Sequence, residues 1–144
     1  MAEKLTGKLE KRRHSRVQKS LKVQYLPISD EEALKLLQDH SYREADLSDL
    51  SEQDQSESAQ EGTTKDMSLG GISLMSDVPL KDLRYLLLEI GVPELDKIIR
   101  VLAMVIRTYA GDPANNIPEN YGIQIVSIHK EDHKDLQGFL DSMK

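Results

Sequence analysis

The chain has 144 residues, of which 31% are charged and 38% hydrophobic, and a net charge of −6; that length suits one domain whose core needs no covalent staple. It contains no cysteine, which excludes a disulfide framework, a thiolate metal site and cysteine catalysis. Residues 1–22 are charged throughout and the longest apolar run, 101–106, is far too short to cross a bilayer, so a cytoplasmic protein with no leader and no membrane insertion is expected.

The charge is unevenly spread. Residues 1–23 carry eight Lys/Arg against two acids, a net +6, whereas residues 30–61 carry eleven acids against Lys35 and Arg43, a net −9. A basic arm seeks anions, and an acidic segment either repels them or shields the arm when no ligand is present. Within the arm, Arg12-Arg13-His14-Ser15-Arg16 holds two arginines four residues apart. Arginine forks bind phosphate in a bidentate way and pair with the O6 and N7 acceptors of a guanine edge. The arm lacks apolar anchors before Ser20, so it is expected to be loose until a ligand orders it.

Residues 20–26 alternate apolar and polar side chains, the pattern of a half-buried strand with Leu21, Val23 and Tyr25 on one face; Pro27 ends it. Ser29-Asp30-Glu31-Glu32 is a capping box that opens a short helix through Gln38, with Ala33, Leu36 and Leu37 on one stripe. Residues 40–61 are rich in Ser, Asp, Glu and Gln. They bury too little apolar surface to offset ordering entropy, which predicts a mobile loop.

After Gly62 the pattern changes. Residues 63–67 and 71–75 read as short strands, with Ile72, Leu74 and Ser76 sharing a face. Between them Asp66-Met67-Ser68-Leu69-Gly70-Gly71 offers a carboxylate that can accept from the donor edge of guanine, a hydroxyl, and glycines that let backbone approach a flat ring. The same residues suit a hairpin turn, Asp and Ser through side-chain-to-backbone bonds and Gly through positive φ. Residues 83–90 form the next strand, closed by Gly91 and Pro93. The longest strand, 97–110, is apolar on both faces through its middle, as in a barrel strand packed inside and covered outside. Turn residues fill 111–120, and 121–128 is the last strand, with Tyr121, Ile123 and Ile125 on one face. A helix from about Lys130 places Leu136, Phe139, Leu140 and Met143 on one amphipathic stripe. The fold class is therefore mainly β, a small six-stranded antiparallel barrel with a C-terminal helix.

The ordered pair R-x-x-x-R and D-x-S-x-x-G, followed by this strand pattern, resembles the signature of PilZ domains, the bacterial receptors for the second messenger cyclic di-GMP. The resemblance covers about residues 8–26 and 63–144. It implies a basic N-terminal arm at 1–19 and a barrel domain at 20–144, and leaves unexplained the acidic insertion at 27–62, which its composition predicts to be mostly disordered. It also implies a non-catalytic receptor. Arg12 and Arg16 would clamp phosphates and contact guanine, and Arg13 would stack on a base. Asp66 would accept from guanine N1–H and N2–H₂, and Ser68 would bond the base or fix the turn. Gly70 and Gly71 would supply the motif's glycine and its neighbour. Arg107, after the apolar run, would point toward the ligand face. No metal and no cofactor beyond the ligand itself are implied. Ordering of the arm would signal to an unidentified protein partner in motility, secretion or biofilm polysaccharide control. The alternative is a PilZ-like protein-interaction module that does not bind nucleotide.

Other chemistries find less support. His129 and His133 stand at i, i+4, but the H-E-x-x-H order and a third ligand are missing, so a solvated helix face is expected. A +6 arm on a −6 chain is a poor nucleic-acid footprint, and one Phe with no Trp gives little for stacking single strands. Tyr85, Tyr109 and Tyr121 are assigned to the core or its rim. No nucleophile–base pair or P-loop is present, so no enzyme is expected.

Overall fold

The computed structural model describes residues 17–44, 59–76, 80–117 and 119–143. In chain order it contains β1 (Val17–Gln18), β2 (Lys22–Ile28), α1 (Asp30–Leu37), a segment of 3₁₀ turns (Gln38–Glu44), β3 (Gln60–Met67), β4 (Gly71–Met75), β5 (Tyr85–Val92), β6 (Lys97–Tyr109), β7 (Asn120–Ile128) and α2 (Lys130–Ser142). The strands run in the order β1-β3-β2-β5-β6-β7-β4, and β4 pairs back onto β3. Six antiparallel strands, β2 to β7, thus close a barrel, which removes the open edges that a small sheet must otherwise protect.

β1 and β2 lie end to end along one edge of β3. Thr64 bridges the break between them: its N–H donates to the Leu21 carbonyl at 2.9 Å, and its Oγ1 accepts from the Leu21 N–H at 2.8 Å. Thr64 is fully buried, and these bonds satisfy backbone groups that the break would otherwise orphan.

The inward faces build the main core from residues such as Val23, Tyr25, Leu74, Leu88, Val101, Val105 and Tyr121, and α2 adds Leu136, Phe139 and Leu140. Met143, which shares their stripe, sits at the helix end and is exposed. A second apolar layer lies outside the barrel wall. There Leu26, Ile28, Leu87 and Leu102 are covered by Ala33 and Leu36 of α1 and by Tyr42 of the 3₁₀ segment.

That cover is tied down by polar bonds. Ser29 caps α1, its Oγ accepting from the Glu32 N–H at 3.1 Å, as the capping box predicts. The buried Asp132 of α2 accepts from Arg43 Nε at 3.1 Å and from Lys97 Nζ at 2.8 Å. The hydrogen bonds that Lys97 donates to Asp132 and Asp135 outweigh partial burial and raise its ammonium above the ordinary value. Tyr42 exchanges a hydrogen bond with Ser127 at 2.9 Å.

The six-stranded barrel with a closing helix is the expected architecture. Three local features differ. First, β2 runs through Pro27 to Ile28. Beyond Tyr25 its one partner among the described residues is β5, and a strand edge tolerates a residue that has no N–H. Second, the stretch expected as a loop from His40 contains the 3₁₀ segment to Glu44 at one end and the start of β3 at the other. Burial of Tyr42 against the barrel wall stabilises the former. Residues 45–58 lie outside the described residues. Third, Val17, in the arm that seemed to lack anchors, is buried in the main core.

Candidate functional site

The D-x-S-x-x-G segment spans the end of β3, a tight turn and the start of β4. Counted from Asp66, the motif's glycine position falls on Gly71, with Gly70 just before it. The Ser68 N–H donates to the Gly71 carbonyl at 2.8 Å, and Ser68 Oγ accepts from the Gly70 N–H at 3.3 Å. The Gly70 carbonyl accepts from the Ile125 N–H at 3.0 Å, which fastens the turn to β7. Ser68 is buried; its hydroxyl fixes the turn. No described glycine has positive φ, contrary to the hairpin expectation. Serine bonding and the anchor on β7 close this turn without left-handed backbone.

Asp66 stands on β3 between two neighbours, paired with Gln18 of β1 and Ser73 of β4. It is half-buried. The ladder skips between Thr64 and Asp66, so Lys65 is an extra residue on β3 and is exposed. Val17, the residue that follows Arg16 in the chain, pairs with Met67, the residue that precedes Ser68. The two motifs are fifty residues apart in sequence, and the barrel joins their ends at one register position. Arg12, Arg13 and Arg16 themselves lie outside the described residues.

A second bulge sits across the barrel wall. Val105 pairs with Ile123 and Arg107 with Gly122, which leaves Ile106 as the extra residue. A bulge re-aims the side chains that follow it. Here Val105 stays in the core while Ile106, Arg107 and Tyr109 are all exposed. Arg107 forms no ion pair or side-chain hydrogen bond among the described residues.

Between the two bulges lies a depression of about 780 Å³, a volume typical of small-molecule sites. Ser68, Gly70, Gly71 and Arg107 line it, together with Lys65, Tyr109, Gly122 and Gln124. Among the described residues two basic groups and no acid line it, so the field they set up favours an anion. Asp66 is one cross-strand pair away from the lining residue Ser73. Tyr121 points inward beside Gly122. Burial lifts its phenol above the ordinary value, and its hydroxyl donates to Glu119 at 2.7 Å. Another depression, of about 700 Å³, is lined by Lys22, Gln24, Glu61, Thr63, Glu89 and Ile98 among others. Among the described residues it contains no motif residue and sets two acids against one lysine.

The structure therefore brings Ser68, Gly70, Gly71 and Arg107 together and puts Asp66 at their border. Sequence reasoning missed Lys65, Ile106, Gly122 and Gln124 and gave Tyr109 no role in the site. Bulges carry no signature in a single sequence, so nothing in the alternation assigns Ile106 and Arg107 to one face. The histidine pair finds a different use. His129 Nδ1 accepts from the Glu131 N–H at 3.2 Å and caps α2, and no metal-binding cluster occurs among the described residues. No helix among them is long and apolar enough to cross a membrane.

The PilZ domain family model matches residues 10–142. The fold is similar to that of the Bacillus subtilis inhibitor of motility MotI/DgrA, at TM-score 0.62 and 18% identity, covering 92% of this chain and 50% of that one. It is also similar to the PilZ domain of Escherichia coli YcgR with c-di-GMP, at TM-score 0.58 and 14% identity, covering 92% and 90% of the two chains. A third likeness, to the PilZ domain of CeSA from a cellulose-synthesizing bacterium, has TM-score 0.50 and 12% identity and covers 89% and 96%. The chain thus spans half the length of MotI/DgrA and most of the two isolated domains. At these identities the likeness is one of fold. No curated protein matches the chain.

Proposed function

This chain belongs to the PilZ domain family, and on that premise we propose that it is a non-catalytic receptor for cyclic di-GMP. The observation that carries the proposal is the β1–β3 register. Val17 pairs with Met67 and Gln18 with Asp66, so the chain that carries R-x-x-x-R joins the barrel beside D-x-S-x-x-G. The basic depression next to this junction supports the same reading, as does the bound c-di-GMP of the YcgR structure of similar fold.

Arg12 and Arg16 clamp the phosphates through bidentate, charge-assisted hydrogen bonds. Arg13 stacks on a base. The Asp66 carboxylate accepts from the donor edge of one guanine, and Arg107 adds a cation at the opposite rim. Gly71, with Gly70 beside it, lets backbone come close to the ring. Val17 is already anchored in the core, so the ligand-dependent change is confined to the arm that precedes it. Closing the arm alters the surface presented to a protein partner, an order–disorder switch. The motility role in the name of the Bacillus subtilis neighbour supports motility as one output.

Calorimetric titration with cyclic di-GMP, with GTP and cyclic di-AMP as controls, tests this reading. Saturable, guanine-selective binding is expected, with strong loss in each of Arg12→Ala, Arg16→Ala and Asp66→Ala. Retained affinity in all three would sink the site assignment. No binding by the wild type would favour the nucleotide-independent interaction module.

A further inference from the structure

Among the described residues the two most exposed large apolar side chains are Leu83, at 68%, and Leu34, at 64%. Both belong to one corner of the molecule. Leu83 lies in the turn that leads into β5, and the next residue, Arg84, donates from Nε to the Ile28 carbonyl at 2.9 Å, beside the N-cap of α1. Leu34 is on the solvent side of α1, away from the buried Ala33 and Leu36. Leu83 is also held in left-handed backbone, at φ 62°, which a leucine adopts only at a cost. Hydrogen bonds on every side fix it there. The Leu83 N–H donates to the Val105 carbonyl at 2.6 Å, the Val105 N–H to the Arg84 carbonyl at 2.9 Å, and Thr108 Oγ1 to Asp82 at 2.8 Å. The fold thus holds an apolar side chain out of its own core, next to a helix that does the same with Leu34.

Charge along α1 suits a copy of itself. Its exposed residues Glu31, Leu34 and Lys35, with Gln38 at the C-cap, stand at i, i+3, i+4 and i+7, one stripe of the helix. Glu31 and Lys35 have the spacing of a pair within one helix, yet they form no ion pair among the described residues. Asp30, Glu31 and Glu32 fill the first turn, and Lys35 is in the last. A parallel neighbour would set acid against acid. An antiparallel one, related by a two-fold axis level with residue 33, sets Glu31 of each copy level with Lys35 of the other. The two Leu34 side chains are then offset by only about 3 Å along the helix.

We propose that the outer stripe of α1 and the Leu83 turn form a self-complementary surface that pairs two copies of this chain, antiparallel, as a two-fold dimer. Leu34 packs on Leu34 across the axis, and the two Glu31–Lys35 pairs flank it and fix the direction. Leu83, at the root of one α1, lies beside the end of the other, where Leu37 is half-buried. The surface is two helical turns and one side chain, so the dimer is weak and forms only as concentration rises. None of these residues lines the basic depression, so the surface stands apart from the nucleotide site.

Analytical ultracentrifugation of the full chain from about 10 µM to about 1 mM tests this, with thermal unfolding of each variant as a fold control. The wild type is expected to pass from monomer to dimer across that range. Glu31→Lys and Lys35→Glu should each weaken association at least about tenfold, and the two together should restore it to within about threefold, because the exchanged charges again face each other across the axis. Leu83→Gly relieves the left-handed backbone while removing the side chain. It should raise the thermal midpoint by about 2–4 °C and weaken association at least about fivefold; a lowered midpoint would make Leu83 a packing residue and overturn its part in the surface. A wild type that stays monomeric at the highest concentration, or a dimer indifferent to both single charge exchanges, overturns the proposal. Should a charge variant unfold, Leu34→Cys decides. The chain has no cysteine of its own, so mild oxidation should give a disulfide dimer of Leu34→Cys far faster than of Gln137→Cys on the exposed face of α2, and equal rates would overturn the pairing.

Discussion

Leu102 and Ile106 both project outward from β6, four residues apart, yet Leu102 is 0% and Ile106 42% exposed. The difference lies in what each finds outside the barrel wall. Over Leu102 lie α1 and the 3₁₀ segment, which turn the outer faces of β2, β5 and β6 into a second dry core. Around Ile106 a bulge, a glycine and the Ser68–Gly71 turn leave a concave, basic surface instead. The covered face stabilises the barrel. The open face leaves its apolar groups to solvent, a cost to stability that fits the proposed binding role.

Substituting the two residues in parallel is the strongest way to break this comparison. Leu102→Ala removes a fully buried side chain and should destabilise the fold by about 2–5 kcal/mol, whereas Ile106→Ala should stay within about 0.5 kcal/mol. Urea denaturation of both variants measures this; equal losses would mean that the two faces are packed alike.

The glycines offer a second contrast. A methyl at Gly62 would lie 2.7 Å from the Met75 carbonyl oxygen and 3.1 Å from Leu74 Cδ1. Backbone must therefore shift, and Gly62→Ala should cost roughly 1–3 kcal/mol. At Gly122 the nearest atom is 3.4 Å away, so Gly122→Ala should leave the thermal midpoint nearly unchanged. A cooperative loss at Gly122 would show that it serves packing rather than the open face.

Asp132→Ala probes how the cover is held. It removes the shared acceptor of Arg43 and Lys97 and should cost about 2 kcal/mol, with faster amide exchange across Gln38–Glu44. Lys97 has a raised pKa, so its pairing contributes fully below the ordinary lysine range and fades as pH climbs through the raised value. Asp132→Ala should flatten the alkaline end of the stability profile.

The smallest effect concerns the joint between arm and barrel. Lys19 contacts Glu94 at 2.7 Å; hydrogen bonding from Lys19, then from backbone, lowers the Glu94 pKa. That contribution is present above the ordinary glutamate value and is lost as pH falls through the depressed one. Both groups are substantially solvated, so salt should screen the effect. Amide exchange around Lys19 at acid and neutral pH, compared in Glu94→Gln, measures it; a pH response that persists in the variant would assign it elsewhere.

Most of the barrel was legible in the chain. The period-2 alternation of 20–26 and 121–128, the long run after Lys97, the capping box at Ser29 and the stripe of α2 are local patterns, and each became the element it predicted. The apolar double face of residues 97–110 anticipated a covered outer wall, although not that α1 and Tyr42 would cover it. The site was legible in part. Ser68, Gly70, Gly71 and Arg107 meet in one depression, while the turn needs no left-handed glycine and Val17 anchors an arm that looked unanchored.

What the sequence determined by itself is what neighbours along the chain decide: strand and helix types, the caps, and two motifs whose residue types suit an anionic guanine nucleotide. Tertiary structure alone decided that β1 joins the barrel beside the second motif, that Lys65 and Ile106 are bulge residues, and that Ile106 and Tyr109 flank Gly122. Those facts arise from the register between strands far apart in sequence. A one-residue slip in that register exchanges the inner and outer faces, and it is set by the closure of the whole barrel rather than by any segment of it.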